Sequence, residues 1–221
     1  MGVNEHIIYS NKMKRKTLQR IVHFLLDHLT HTEFVDADRV PSEGGVIIAI
    51  NHMSHLDTPV MMVNPTRKDI TALVTTKYQE RALIRWFTNT AEGIWIDRDI
   101  ADFTAVRKAA QALDDGWALG IAPEGTRSKD NQLHEGKPGT IMLAMKSGAP
   151  VVPVGITGTE DAFDKLKRFR KPRITVRFGQ PFTLPEFEPH ERSEQLKRWT
   201  NILMYRIAEL LPEEYRGEYA E

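Results

Sequence analysis

Two hydrophobic periods divide this chain. From about residue 12 to residue 30, Leu18, Ile21, Val22, Leu25 and Leu29 recur at the i, i+3, i+4, i+7 spacing, with Phe24 and Leu26 widening the stripe. That spacing predicts an amphipathic helix. Short apolar runs then take over. Val46-Ile47-Ile48-Ala49-Ile50, introduced by Gly44-Gly45, predicts a buried strand. Residues 70–74, 93–96, 117–122, 151–156 and 174–178 predict five more, and Pro153 places its strand at an edge or a bulge.

Helical patterns fill the gaps. Val60-Met61-Met62-Val63 reads as the first turns of a buried helix, and 81–88 as a short helix carrying Leu83, Ile84, Trp86 and Phe87. Over 102–115, Phe103, Val106, Ala110 and Leu113 share a face, and Gly116 ends the helix. Residues 138–147 form another, with Met142 and Met145 as core filler. A last helix, about 190–211, buries Leu196, Trp199, Leu203, Ile207 and Leu210. Strands alternating with helices predict an α/β fold: a mixed, largely parallel central sheet covered by helices on both faces, with an N-terminal amphipathic helix. Residues 1–35 are set apart as that helical segment, and 36–221 form one domain ending in a C-terminal helix.

Composition narrows the function classes. The chain has 221 residues, 30 basic and 30 acidic, so nothing global attracts nucleic acid and charge must act through local patches. It has no cysteine, which excludes disulfides, a thiol nucleophile and sulfur-ligated metal and fits a cytoplasmic location. No apolar run approaches the roughly 18 residues of a membrane span. The first residues lack the basic-then-apolar order of a signal peptide.

Two local patches stand out. Lys12, Lys14, Arg15, Lys16 and Arg20 crowd the start of the first helix. A basic amphipathic helix fits a membrane interface; the same pattern fits a helix docked on the domain with its charges in water, and Asp27, His23, His28 and His31 dilute the membrane signal. Lys165, Lys167, Arg168, Arg170, Lys171 and Arg173 form a second cluster, which suits anionic lipid, a nucleotide or plain solvation.

The candidate chemistry follows the first strand, in Asn51-His52-Met53-Ser54-His55-Leu56-Asp57. A His at the carboxyl end of a buried strand sits where open α/β sheets place their chemistry. Residues five apart point away from each other on one helix, so His52 and Asp57 meet only if the segment between them is a loop. A carboxylate meeting an imidazole fixes its tautomer and makes it a usable general base. The bland alternative is a loop histidine beside an Asp57-Thr58-Pro59 helix start. Lys77, Arg98 and Arg127 each fall just beyond a predicted strand end, on the edge that carries His52. Three cations there suit an anionic substrate, phosphate above all, whereas each alone suits a surface ion pair, with Asp97 and Asp99 as partners for the arginines; Glu124 would likewise pair with an arginine or take backbone N–H bonds in its loop.

Other signatures fail. There is no Gly-x-Ser-x-Gly elbow, and Gly120 and Gly125 have P-loop spacing but are followed by Thr126-Arg127.

Four stretches in order resemble the motifs of the glycerolipid acyltransferase family, most closely its bacterial 1-acylglycerol-3-phosphate acyltransferases. Asn51-His52 with Asp57 resembles the first motif and Gly93-Ile94-Trp95-Ile96-Asp97-Arg98 the second. Pro123-Glu124-Gly125-Thr126-Arg127-Ser128 matches the third in full, and Val151-Val152-Pro153-Val154 resembles the fourth. Gly136-Lys137-Pro138-Gly139-Thr140 departs from the family's Phe-Lys-Lys-Gly-Ala by losing the aromatic residue. The resemblance spans about residues 44–182. It implies transfer of a fatty acyl group from coenzyme A or acyl carrier protein, as co-substrate, to the hydroxyl of lysophosphatidic acid, with no bound cofactor or metal and no covalent intermediate. His52 and Asp57 would be catalytic, Lys77, Arg98 and Arg127 would hold the phosphate, and Glu124, Gly125 and Thr126 would form an acceptor loop. The expected partners are acyl donor, lysophospholipid and membrane surface, and the expected place is the cytoplasmic face of a membrane. A lipid-binding protein without turnover, another lysophospholipid or lipid acceptor, and a metal hydrolase using His52, His55 and Asp57 are the competing readings.

Overall fold

The computed structural model describes residues 3–220, with side chains from Lys14 onward except Pro189. Seven strands form one sheet: β1 (His31–Val35), β2 (Val46–Ile50), β3 (Ile70–Thr75), β4 (Ile94–Ile96), β5 (Ala118–Ile121), β6 (Val151–Thr157) and β7 (Arg173–Phe178). Their spatial order is β1-β7-β6-β2-β5-β3-β4. Strands β2 to β6 run parallel, β7 runs antiparallel to β6, and β1 parallel to β7. The carboxyl ends of β2, β3, β4, β5 and β6 therefore share one edge.

The helices are α1 (Val3–Leu29), α2 (Asp57–Met62), α3 (Ala82–Thr90), α4 (Phe103–Asp114), α5 (Gly139–Ser147), α6 (Ala162–Lys167) and α7 (Arg192–Ala208). Strand β2 is buried along its whole length, and its alternation sorts the two layers. Val46, Ile48 and Ile50 pack with residues of α1 and α2 and with Phe87 of α3, while Ile47 and Ala49 pack with residues of α4, α5 and α7. A sheet so covered excludes water from both faces, which is why its central strand reads as continuous Val/Ile.

Several expectations are corrected. Strand β1 is absent from the sequence reading because His31-Thr32-Glu33-Phe34-Val35 is an edge strand with no fully buried position. Pro153 lies in an interior strand, between β7 and β2, so the edge half of its reading fails. The bulge half holds: between the pairs Val154–Phe178 and Val151–Phe182, residues 152–153 face residues 179–181, one residue more. There Gly179 N donates to Pro153 O at 2.8 Å and Val151 N to Phe182 O at 2.8 Å. In α4 the buried line is Ala105, Ala109, Ala110 and Leu113, whereas Phe103 and Val106 face solvent, as does Met142 of α5. The last helix is shorter than expected and leaves Leu210 half-buried.

Helix α1 differs most from its reading. Leu18, Val22 and Leu26 enter the core, but Ile21, Phe24, Leu25 and Leu29 stay exposed. Arg15 is not part of an outward basic face. It is 5% exposed and donates to the carbonyls of Ala91, Ile70 and Lys68, with Glu92 3.5 Å away. Burial pulls its proton affinity down while Glu92 and Asp69 pull it up. Arg15 thus closes orphan carbonyls at the amino-terminal edge of the sheet, a role of hydrogen-bonding and not of surface charge. Lys12 lies outside the described side chains.

Candidate active site

The loop after β2 is built around one buried carboxylate. Asn51 first pins the strand end to β6: its side-chain amide donates to Ile156 O (2.9 Å) and accepts from Ile156 N (2.7 Å). The chain then leaves regular structure until α2 begins at Asp57. Asp57 Oδ2 accepts from His52 Nδ1 at 2.7 Å and from the N–H groups of Met53 and Ser54 at 2.9 Å each. Asp57 Oδ1 accepts from Thr159 Oγ1 at 2.6 Å. With Asp57 an acceptor throughout, Nδ1 of His52 carries the proton and Nε2 keeps its lone pair for a substrate. The His52 side chain is 19% exposed, so a substrate reaches it.

The loop after β5 holds the main chain of the same histidine. Glu124, 3% exposed, accepts from His52 N (3.1 Å) through Oε1 and from His134 N (3.2 Å) through Oε2. Burial raises the Glu124 proton affinity above the ordinary carboxylate value, and the two N–H bonds oppose that rise. Ser128 N donates to His52 O at 2.8 Å, so both backbone polar groups of His52 are held by this loop. Gly125 has φ 72°, in the left-handed region that glycine adopts without a Cβ penalty. Thr126 points to solvent.

The three cations fall on the same edge but have different partners. Arg98, just past β4, donates to Gly125 O and lines a cleft with His52. Arg127 donates to Tyr78 OH at 3.0 Å. Lys77 leans outward to Asp99 at 3.1 Å, with 64% of its side chain exposed. Asp97 instead accepts from Asp99 N at 2.9 Å. His55 and Tyr78 meet edge to face, with centroids 5.3 Å apart. Partial dehydration, then the positive charges of Arg127, His52 and Arg81, hold the His55 imidazole below its ordinary pKa. Among the described residues, no group of three or more His, Asp or Glu side chains is arranged to hold a metal ion.

From His52 an apolar cleft runs between β3 and the helices α2 and α3. Ile50, Met61, Met62, Val74, Phe87 and Ala91 line it, and it opens to solvent. One end carries an imidazole and a guanidinium, and the rest is mostly hydrocarbon with Thr58, Thr71 and Thr88 among it, which fits a long amphiphile.

The sequence reading missed four residues here: Asn51 as a clamp, Thr159 on Asp57, Tyr78 between Arg127 and His55, and His134, whose N–H shares Glu124 with His52. Only Tyr78 carries a sequence signal, its place beside Lys77. Among the described residues, no helix is long and apolar enough to cross a membrane.

The sequence matches the family model described as Acyltransferase over residues 31–157. It is 25% identical over 174 residues to the 1-acyl-sn-glycerol-3-phosphate acyltransferase of Bacillus subtilis (strain 168), covering 78% of this chain and 84% of that one. It is 31% identical over 115 residues to the protein of the same name from Cocos nucifera, covering 51% of this chain and 36% of that one. In fold it is similar to the crystal structure of PlsC, the 1-acyl-sn-glycerophosphate acyltransferase of Thermotoga maritima, with a TM-score of 0.63, 24% identity, and coverage of 92% of this chain and 83% of that one. With the model matched over more than half of its length, the chain belongs to the acyltransferase family.

Proposed function

We propose that the protein transfers a fatty acyl group from the thioester of coenzyme A or acyl carrier protein to the free hydroxyl of lysophosphatidic acid, giving phosphatidic acid. The observation that carries this reading is the His52–Asp57 pair, 2.7 Å apart, at the polar end of an apolar cleft that also presents Arg98. The relatives' names support the choice of acceptor.

In this reading the acceptor hydroxyl lies against His52 Nε2, which takes its proton as the oxygen attacks the thioester carbon. Asp57 keeps Nδ1 protonated and stabilises the imidazolium that forms. The proton then passes from Nε2 to the leaving thiolate. The acyl chain fills the cleft. Arg98 and Arg127, with Lys77 at the outer rim, hold the acceptor phosphate, exchanging their present partners (a carbonyl, a phenol and an exposed carboxylate) for a dianion that binds guanidinium more strongly. Glu124 acts on the backbone of His52 and does not contact the acceptor; Gly125 and Thr126 shape the turn beside it. The protein works at the cytoplasmic face of a membrane, where the outward apolar residues of α1 meet the lipid.

The test is free-thiol release from palmitoyl-coenzyme A, with and without lysophosphatidic acid, for wild type beside His52→Ala. Release that needs both acceptor and His52 is expected. Release without acceptor would mean a thioesterase, and equal release by the variant would remove His52 from the chemistry.

A further inference from the structure

Beyond β6 the chain builds a feature for which acyl transfer at His52 has no use. Helix α6 ends in a turn closed by the N–H groups of Arg168, Phe169 and Arg170, which donate to the carbonyls of Lys165, Leu166 and Lys165 at 3.0, 3.0 and 2.9 Å. Phe169 adopts φ 55°, in the left-handed region. That position after a helix is the one glycine usually fills, and a Cβ makes it unfavourable. The phenyl ring gains nothing from the protein in return, because it is 101% exposed. Folding alone would be served better by glycine. Phe163, on the same short helix, is 50% exposed.

The ring stands among cations. Lys167, Arg168, Arg170 and Lys171 are all exposed. Lys165 pairs with Asp161 (2.7 Å) and Lys167 with Asp164 (3.2 Å). Among the described residues, no ion pair is recorded for Arg168, Arg170 or Lys171, which leaves their charges for an outside anion.

The loop also lies on the edge of the sheet that carries His52. Thr159, three residues before α6, holds Asp57. On the other side, His31 N donates to Pro172 O at 2.8 Å, which ties the loop to the end of α1, where Leu25 and Leu29 are exposed.

We propose that residues 168–171 are a docking surface for an anionic bilayer: Phe169 enters the interface between headgroups and acyl chains, and Arg168, Arg170 and Lys171 bind lipid phosphates. A basic loop alone would suit any polyanion. A wholly exposed ring at its apex, held there against backbone preference, requires an apolar medium, and a bilayer supplies that medium beside a layer of negative charge. Docking here would bring the mouth of the cleft to the lipid that holds its substrates. This purpose rests on the function proposed above, but the binding itself does not.

The test exploits the absence of cysteine. Phe169→Cys, labelled with an environment-sensitive fluorophore, should blue-shift on adding vesicles of equal parts phosphatidylglycerol and phosphatidylcholine, whereas the same label on Asp114→Cys, at the end of α4, should not. Partitioning onto these vesicles should weaken at least about fivefold in Phe169→Gly, while the melting temperature stays level or rises. Replacing Arg168, Arg170 and Lys171 by Gln should weaken partitioning and flatten its salt dependence. Partitioning of Phe169→Gly equal to that of wild type, or a label at 169 that responds to acyl carrier protein and not to vesicles, would overturn the proposal. Thiol release with detergent-dispersed substrates separates the two readings: Phe169→Gly should retain it, so a failure of docking is distinguishable from a failure of the chemistry.

Discussion

Asp57 and Glu124 are both carboxylates, both buried, and both bonded to His52, yet they act on different halves of it. Asp57 reaches the imidazole, and its other three bonds come from Met53 N, Ser54 N and Thr159 Oγ1. Glu124 reaches the main-chain N–H and ties it to His134 N. The first fixes which nitrogen of the ring is protonated. The second fixes where the ring is. One group bears on the electronic state of the base and the other on its position, so the two should fail differently when changed.

The largest effect is expected at the ring itself. His52→Ala should lower kcat/KM by about 10²–10⁴-fold, the usual contribution of general-base catalysis, with the fold intact because the ring is not part of the core. Asp57→Asn comes next. The amide would confront donors with an NH2 group and release the tautomer, so kcat should fall by about 10²-fold or more with little change in acceptor KM, and the melting temperature should drop too. Steady-state kinetics beside thermal denaturation reads both. An Asp57→Asn enzyme with wild-type kcat would erase the distinction between the two carboxylates.

Glu124→Gln should reverse the balance. Its amide leaves one of the two N–H groups, His52 N or His134 N, without an acceptor, at a cost of about 1–3 kcal/mol. Stability should therefore suffer most, and kcat by about tenfold, through displacement of the base. Steady-state kinetics beside thermal denaturation again reads both, and a Glu124→Gln enzyme that kept wild-type stability while losing as much kcat as Asp57→Asn would remove the distinction.

These two loops were unequally legible in the sequence. The His52–Asp57 contact spans five residues and could be reasoned from helix geometry, because the pair meets only across a loop. The strand before it was equally plain, being apolar at every position. That Glu124 would take backbone N–H bonds was one of two readings open for it, but its tie to His52 N, 72 residues away, was not legible, because a backbone partner leaves no residue type to read. Thr159 on Asp57 is hidden for the same reason of distance. Pro153 was legible as a bulge but not as an interior position: the pairing slips by one residue where β7 stops, in a strand flanked on both sides. Arg15 misled because a run of basic residues gives no sign of which one turns inward. The edge on which Lys77, Arg98 and Arg127 meet was legible from the strand ends, whereas the buried face of a single helix was not, as the exposed Phe103 and Val106 of α4 show.

The smallest effect concerns His55, which sits in the Asp57 loop and faces Arg127 from the Glu124 loop, and so reports how closely the two approach. Its pKa lies below the ordinary imidazole value, through partial dehydration and then through Arg127. As pH falls, the unfolded chain takes up this proton before the folded one does. The contribution of His55 to stability is therefore fully present above about pH 6.5 and declines as pH falls through the lowered folded value. His55→Gln should lose less melting temperature than wild type between neutral and mildly acidic pH. Arg127→Gln should raise the His55 pKa measured by NMR titration, because it removes a positive charge but leaves the ring against Tyr78. An unchanged His55 titration in Arg127→Gln would mean that dehydration alone sets the shift, and that the charge carried by the Glu124 loop does not reach across to the loop of Asp57.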